Sequence, residues 1–243
     1  KNVYTDRVYY FLNYDLGPGK RVTAESSTTK TPTWYASRFE DYAAYEKDDV
    51  NLIKSGREWW DRQNFDLTTE RTYSFSFPNI DGTQPMSVTT YVAARSVSGS
   101  TSFVVSAQGT PMMTLNVERV VEGFENVFAN TKTGTSSLLT GNPVVEVKLA
   151  YNKSSSSSVG YLNYIEVNAA RSMIMYGGQM SFRSAAGTVT NGVTEFSLNG
   201  NGQNLEIWDV SYGGNIRRIE TARNGNNFVF RLETDTLREF RAF

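Results

Sequence analysis

The chain has 243 residues, with neither cysteine nor histidine, and its 24 basic and 25 acidic side chains leave a net charge of −1. The two absences exclude disulfide scaffolds, thiolate nucleophiles, Ser-His-Asp triads and metal sites built on imidazole or thiolate. The charge balance offers no general attraction to polyphosphate or an anionic surface, and no apolar run approaches the roughly 20 residues that cross a bilayer, so neither nucleic acid nor direct membrane insertion is expected.

In chain order, Val3 to Tyr14 alternates with polar groups, which predicts a strand and not the apolar centre of a signal peptide. From Arg38 to Lys54, Phe39, Tyr42, Ala43, Val50 and Ile53 recur at roughly helical spacing, and Gly56 stands where a helix end takes positive φ. That predicts a helix or helical turn, with a polar extended segment as the competing reading. Thr72 to Pro78 puts Tyr73, Phe75 and Phe77 on one face, the alternation of a half-buried strand. Further strands are predicted at Met86 to Arg95, Thr101 to Gln108, Met112 to Glu118, Val144 to Tyr151, Gly160 to Asn168, Thr188 to Leu198, Asn204 to Val210, Ile216 to Ala222 and Asn226 to Leu232. Turn residues separate them, among them Asp81-Gly82, Asn191-Gly192 and Gly200-Asn201-Gly202. The serine run Ser154 to Ser158 has nothing apolar to bury and reads as a flexible loop tip.

Many short strands with frequent turns predict a mainly β fold, an antiparallel β-sandwich of jelly-roll type over residues 67–243. An extended and partly helical segment, residues 1–66, precedes it. The start at Lys1 and the stop at Phe243, inside the strand-like run from Leu237, suggest a piece of a longer protein. The wealth of Ser, Thr, Asn and Tyr favours an exported or surface β-protein.

Groups that carry chemistry are sparse. Glu40, Asp41, Glu46, Asp48 and Asp49 are oxygen donors suited to calcium, but they lack a loop that would make them converge, and a solvated face is preferred to a metal site. Glu146, Glu166, Glu195 and Glu206 lie in predicted strands, where a glycosidase pair would need a set separation that spacing alone does not supply. Trp34, Tyr35, Trp59, Trp60, Tyr151, Tyr161, Tyr164 and Trp208 fit either a sugar-stacking platform or the filling of a β core, and core packing is preferred for each. No cofactor is expected.

One stretch is more specific. Asp49 to Asp61 reads Asp-Val-Asn-Leu-Ile-Lys-Ser-Gly-Arg-Glu-Trp-Trp-Asp. Its Asn51, Leu52, Ser55, Gly56, Arg57, Glu58 and Trp59 resemble the Asn-Leu-x-x-Ser-Gly-Arg-Glu-Trp segment of PorU-type proteins, gingipain-like cysteine peptidases that act as sortases of the Bacteroidetes type IX secretion system. Supporting pieces follow in order: Tyr9 to Leu12, Gly17 to Arg21, Tyr161 to Asn168 with Tyr164 and Arg171, and Ile207-Trp208-Asp209-Val210. Departures are modest, with Asn163 where the family commonly has Asp, Ser211 where it has Thr, and Trp59-Trp60-Asp61-Arg62 where it tends to read Trp-Tyr-Gly-Glu. The resemblance places this chain upstream of the catalytic domain, whose histidine and cysteine have no counterpart here, so no catalytic residue carries over.

What the resemblance implies is a non-catalytic region at the outer membrane or cell surface. Its partners would be the downstream catalytic domain of the same chain, type IX secretion components and cargo. Within that reading Gly56 ends a helix, Arg57 and Glu58 pair, Trp59 anchors the connection to the sandwich, and Asp209 bonds a turn amide. The rival functions are a carbohydrate-binding jelly-roll module and a surface adhesin subunit.

Overall fold

Seventeen strands and no helix order the described residues, 7, 9–14, 16–123 and 125–243, of a computed structural model. They are β1 (Thr23–Glu25), β2 (Trp34–Ala36), β3 (Arg38–Glu46), β4 (Glu70–Ser76), β5 (Pro85–Arg95), β6 (Thr101–Ala107), β7 (Thr110–Val117), β8 (Asn130–Leu139) and β9 (Val144–Asn152). The series continues with β10 (Val159–Ser172), β11 (Met180–Arg183), β12 (Val193–Asn199), β13 (Ile207–Asp209), β14 (Arg217–Ile219), β15 (Ala222–Asn224), β16 (Asn227–Glu233) and β17 (Glu239–Ala242).

Four sheets result. β3-β10-β5-β8 faces β4-β9-β6-β7 across a core that includes Phe75, Val88, Phe103, Val147, Leu149 and Ile165. A second core, around Phe182, Phe196, Phe230 and Phe240, lies between β1-β14-β13-β17-β11 and β15-β16-β12-β2. Pairing is antiparallel except for β1 on β14 and β2 on β12. The sheets bury alternate side chains, as pleated strands must: Tyr73 and Phe75 on β4 point inward between exposed Thr72, Ser74 and Ser76. Residue 66 falls between β3 and β4, and strands from both sides of it share sheets, since β3 pairs with β10 and β2 with β12.

The expected helix from Arg38 to Lys54 is replaced by strand β3 and a loop. Phe39, Asp41, Ala43 and Tyr45 turn inward while Arg38, Glu40, Tyr42, Ala44 and Glu46 stay exposed, so period two prevails over the helical spacing of Phe39, Tyr42 and Ala43. β3 gains a nine-residue ladder against β10, which no isolated helix of this length could match. Of the strand expected from Val3 to Tyr14, Val3 to Asp6 and Val8 lie outside the described residues, and Tyr9 to Tyr14 pairs with no strand among the described residues. The serine run differs too. Ser158 is fully buried, and its hydroxyl joins those of Ser96 (3.0 Å) and Ser154 (3.1 Å), while Ser96 and Ser154 also donate to the Gly99 carbonyl, so the tip is tied down by hydroxyls instead of apolar groups.

Between the two cores lies Arg171, at the end of β10. Its Nε donates to the Pro78 carbonyl, an Nη donates to Asp41 at 2.6 Å, and its guanidinium sits 5.0 Å from the centre of the Phe39 ring. Phe39 belongs to a strand of the first sandwich yet packs edge-on to Phe182 of the second core, 6.5 Å between ring centres. A buried arginine with its charge paired thus ties the end of β10 to β3 and covers Phe39, the ring through which β3 reaches the second core.

Candidate functional site

The signature stretch is a loop closed at its base by a two-way backbone pair, Trp60 N to Val50 O at 2.8 Å and Val50 N to Trp60 O at 3.0 Å. Asn51 organises the interior. Its Oδ1 accepts from the amides of Ile53 (3.2 Å) and Ser55 (2.9 Å), and its Nδ2 donates to the carbonyls of Gly56 (3.5 Å) and Glu58 (3.2 Å). One side-chain amide thus replaces the turn bonds the backbone lacks. Gly56, with φ of +85°, supplies a left-handed turn and not a helix end.

This loop docks on β10 and β5. Trp60 is buried against Tyr91, 5.4 Å between ring centres, and Tyr91 meets Tyr164 at 5.7 Å. Glu58 accepts the Tyr91 hydroxyl at 2.7 Å, so the expected Arg57–Glu58 pairing gives way to a carboxylate–phenol bond. Burial pushes the Tyr91 hydroxyl pKa up, and the bond to Glu58 adds to it. The anchor is Trp60, whereas the expected anchor, Trp59, keeps 42% of its surface exposed. Trp59 contributes its carbonyl, which accepts Asn163 Nδ2 at 2.8 Å. Asn163 reaches it because β10 bulges between Leu162 and Tyr164.

Beside the loop, Asp61 is buried, its amide bonded to Leu162 O. Its two oxygens take the Tyr45 hydroxyl (2.6 Å) and the Gln63 amide (2.8 Å). Burial first, and then the bond to Asp61, raise the Tyr45 pKa well above the usual phenol range. A cavity of about 240 Å³ separates the loop from residues 127–131, with Leu52, Trp60 and Phe128 among its walls. The polar groups of this site are committed to one another: carboxylate to phenol, amide to carbonyl.

The structure therefore brings Asn51, Leu52, Ser55, Gly56, Arg57, Glu58 and Trp59 together with Tyr164, but Trp208 and Asp209 lie apart, on β13 of the other sandwich. There Asp209 is buried; its Oδ1 accepts the Ser211 amide (2.9 Å) and hydroxyl (2.6 Å), and its Oδ2 accepts from Arg238. Arg238 also donates to Glu25 at 2.8 Å. Burial alone would lower the arginine's pKa; the bond to Glu25 and the charges of Asp209 and Glu25 outweigh it and raise the value. The Trp208 ring meets Phe243 edge-on at 5.0 Å.

The acidic cluster is dispersed. Asp41 binds Arg171, and Glu40 accepts the Ala185 amide at 3.0 Å. Among the described residues no three acidic side chains are grouped to hold a metal ion. Glu195 pairs with Arg231 at 2.6 Å, and Glu206 accepts from the Trp208 indole at 3.3 Å. Of the aromatics, Tyr151 is in the core, while Trp34 and Tyr35 are 39% and 65% exposed. Sequence reasoning missed Asp61, Tyr91 and the role of Asn163. The one available signal for Asn163 was its place in the Leu-Asn-Tyr departure from the family pattern.

No protein-family model and no curated protein matches the chain. Among solved structures, it superposes on dimeric latent PorU from Porphyromonas gingivalis with a TM-score of 0.77 over 92% of this chain, at 14% identity. The match covers 22% of the PorU chain. At that identity the likeness establishes the fold. The carbohydrate-binding module CBM36, solved with calcium and xylotriose, superposes at a TM-score of 0.33 over 51% of this chain and 98% of its own, at 16% identity, too loose to carry an argument.

Proposed function

We propose that this chain is the non-catalytic β-sandwich region of a PorU-like, cell-surface sortase of the type IX secretion system. In this reading it braces a cysteine-peptidase domain carried on the same polypeptide and contacts cargo or secretion components, while the chemistry is done by histidine and cysteine outside these 243 residues. The observation that carries the reading is the fold likeness to PorU over 92% of the chain. The gathering of the loop motif and the Tyr161 to Asn168 motif into one site adds to it.

Mechanically, the loop and Arg171 suit a brace. Asn51 fixes the loop, Asn163 and Trp60 fix the loop to the sheet, and Arg171 fixes the end of β10 to Asp41 on β3 beside Phe39, the ring that packs into the second core. A stiff support of this kind positions a neighbouring catalytic domain without taking part in its chemistry. Among the described residues no helix is long and apolar enough to cross a membrane.

The test is to raise antibodies against this chain and isolate the native polypeptide from the surface fraction of its source cells. Peptide mapping is expected to find one polypeptide, several times longer, that includes a peptidase domain with a Cys–His pair and cleaves peptide substrate. A native polypeptide with no such domain overturns the proposal, as does peptide hydrolysis by the purified 243-residue chain.

A further inference from the structure

The aromatic neighbours Trp34 and Tyr35 fill no core. Strand β2, which carries them, is three residues long and stands at the edge of its sheet with β12 as its partner, so Trp34 stays 39% and Tyr35 65% exposed. Trp34 is nevertheless held in place. A Cβ at Gly187 would come within 3.0 Å of its ring, which puts the 185–188 turn directly against it.

Beside these rings is a cavity of about 240 Å³, enclosed by β2, the start of β3 and the turn that follows β11. It lies at the opposite end of β3 from the signature loop. Its charged groups are already engaged: Glu40 Oε2 accepts the Ala185 amide at 3.0 Å, and Arg38 faces Asp81 at 3.7 Å. The groups left over are uncharged. Among the described residues no hydrogen bond engages the hydroxyls of Ser37, Ser184 and Tyr35 or the Trp34 indole N–H, all from residues that line the cavity. Ser184 is the most informative of them, because it is only 6% exposed and a hydroxyl at that depth ordinarily has a partner.

This inventory selects a class of ligand. An anion finds no unengaged cation here, and an amine finds only the second oxygen of Glu40. A neutral ring with hydroxyls on its edge and C–H groups on its face meets both sets of groups: the face lies on an aromatic side chain, and the edge pairs with serine, phenol, indole and carboxylate. Pockets for drug-sized ligands run to about 300–1,000 Å³, so the smaller cavity suits one such ring and not a row of them.

We propose that this cavity binds a single neutral sugar ring, stacked on Trp34 with Tyr35 at the rim, and that Ser184, the deepest polar group, pairs with one of its hydroxyls. The ring is a free sugar or the end unit of a longer glycan, two sources of one chemistry. Such binding calls on no peptidase domain, so the 243-residue chain by itself displays it.

The test is a titration of the chain with the methyl glycosides of glucose, galactose, mannose and xylose, followed by saturation-transfer NMR and tryptophan fluorescence. At least one is expected to bind, with Trp34→Ala weakening it about tenfold and Ser184→Ala about fivefold. Tyr35→Ala removes a ring that is 65% exposed, so it leaves the fold intact and is expected to weaken binding about threefold. Tyr212→Ala, at a tyrosine 60% exposed on another loop, is expected to bind as the wild type does. An oligosaccharide ending in the preferred sugar binds more tightly than the methyl glycoside if a glycan end is the ligand, and equally if a free sugar is; either result upholds the proposal. No binding of any glycoside at tens of millimolar overturns it. So does binding that survives Trp34→Ala and Ser184→Ala combined, an equal loss in Tyr212→Ala, or tighter binding of a methyl glucuronide than of every neutral glycoside.

Discussion

The two sandwiches are held by different means. The first has strands of 7 to 14 residues in long ladders, and its core is rich in valine and leucine, with Val88, Val92, Val105, Val145, Val147 and Leu149 fully buried. The second has strands of 3 to 7 residues, and a nest of phenylalanines does the work of the missing ladder. Phe240 touches Phe182 at 5.1 Å, Phe196 at 4.9 Å and Phe230 at 5.2 Å between ring centres. Charges differ as well: the Glu25–Arg238–Asp209 chain ties the second sandwich, while among the described residues the tyrosines with a raised pKa belong to the first, namely Tyr45, Tyr73, Tyr91, Tyr151 and Tyr161. Where backbone hydrogen bonds are few, side-chain contacts decide whether a short-stranded sheet stays closed.

Four experiments bear on this contrast. The largest effect is expected from Phe240→Ala, which removes a fully buried ring shared by three others and costs about 3–5 kcal/mol. Hydrogen exchange should speed up in β12 and β16 while β5 and β9 keep their protection; uniform loss across both cores would dissolve the distinction. Next comes Arg238→Met, which strands the buried carboxylate of Asp209 and is expected to cost about 3 kcal/mol. Adding Asp209→Leu to it should recover part of that loss in chemical denaturation.

A pH experiment separates the regions without mutation. Tyr45 and Tyr73 keep their protons in the folded protein above the ordinary value of about 10, where the unfolded chain has released them, and burial is the first cause for both. Their contribution is therefore complete below pH 10 and falls as pH rises through the raised values. Alkali is expected to open the first sandwich before the second, followed by tyrosinate absorbance together with exchange in β4. Smallest is Asn51→Ala, worth about 1–2 kcal/mol locally because the loop keeps its base pair and Trp60. Faster exchange of the Ser55 amide with an unchanged melting temperature is the expected result.

The sequence was most readable where one rule acted alone. Tyr73 and Phe75 alternate with serine and threonine, and β4 lies where that alternation puts it. β8 was not readable, because its inward positions include Gly134 and Ser136; a Cβ at Gly134 would sit 2.4 Å from a methyl of Leu115, so a side chain there would have to push the Leu115 end on β7 aside. β3 was misread because Phe39, Tyr42 and Ala43 satisfy a helical spacing by chance, and only the ladder with β10 selects among the periods. At the site, the loop residues were legible as a group. Which tryptophan is buried was not, since neighbours on an irregular loop differ in direction by backbone geometry that composition does not encode. The Asn163 bulge has the same origin.

The order of the strands along the chain has a consequence for synthesis. The first core is assembled from residues 65–169, an unbroken stretch, but the second joins Ala36 and Phe39 to residues from Met173 to Ala242. On the ribosome the first sandwich has all its parts while the second still waits for most of its own. At typical elongation rates Phe39 stands uncovered for on the order of ten seconds before Met173 emerges. The early strands β1 and β2 are thus held in reserve by a chain that must finish its middle before it can close its ends.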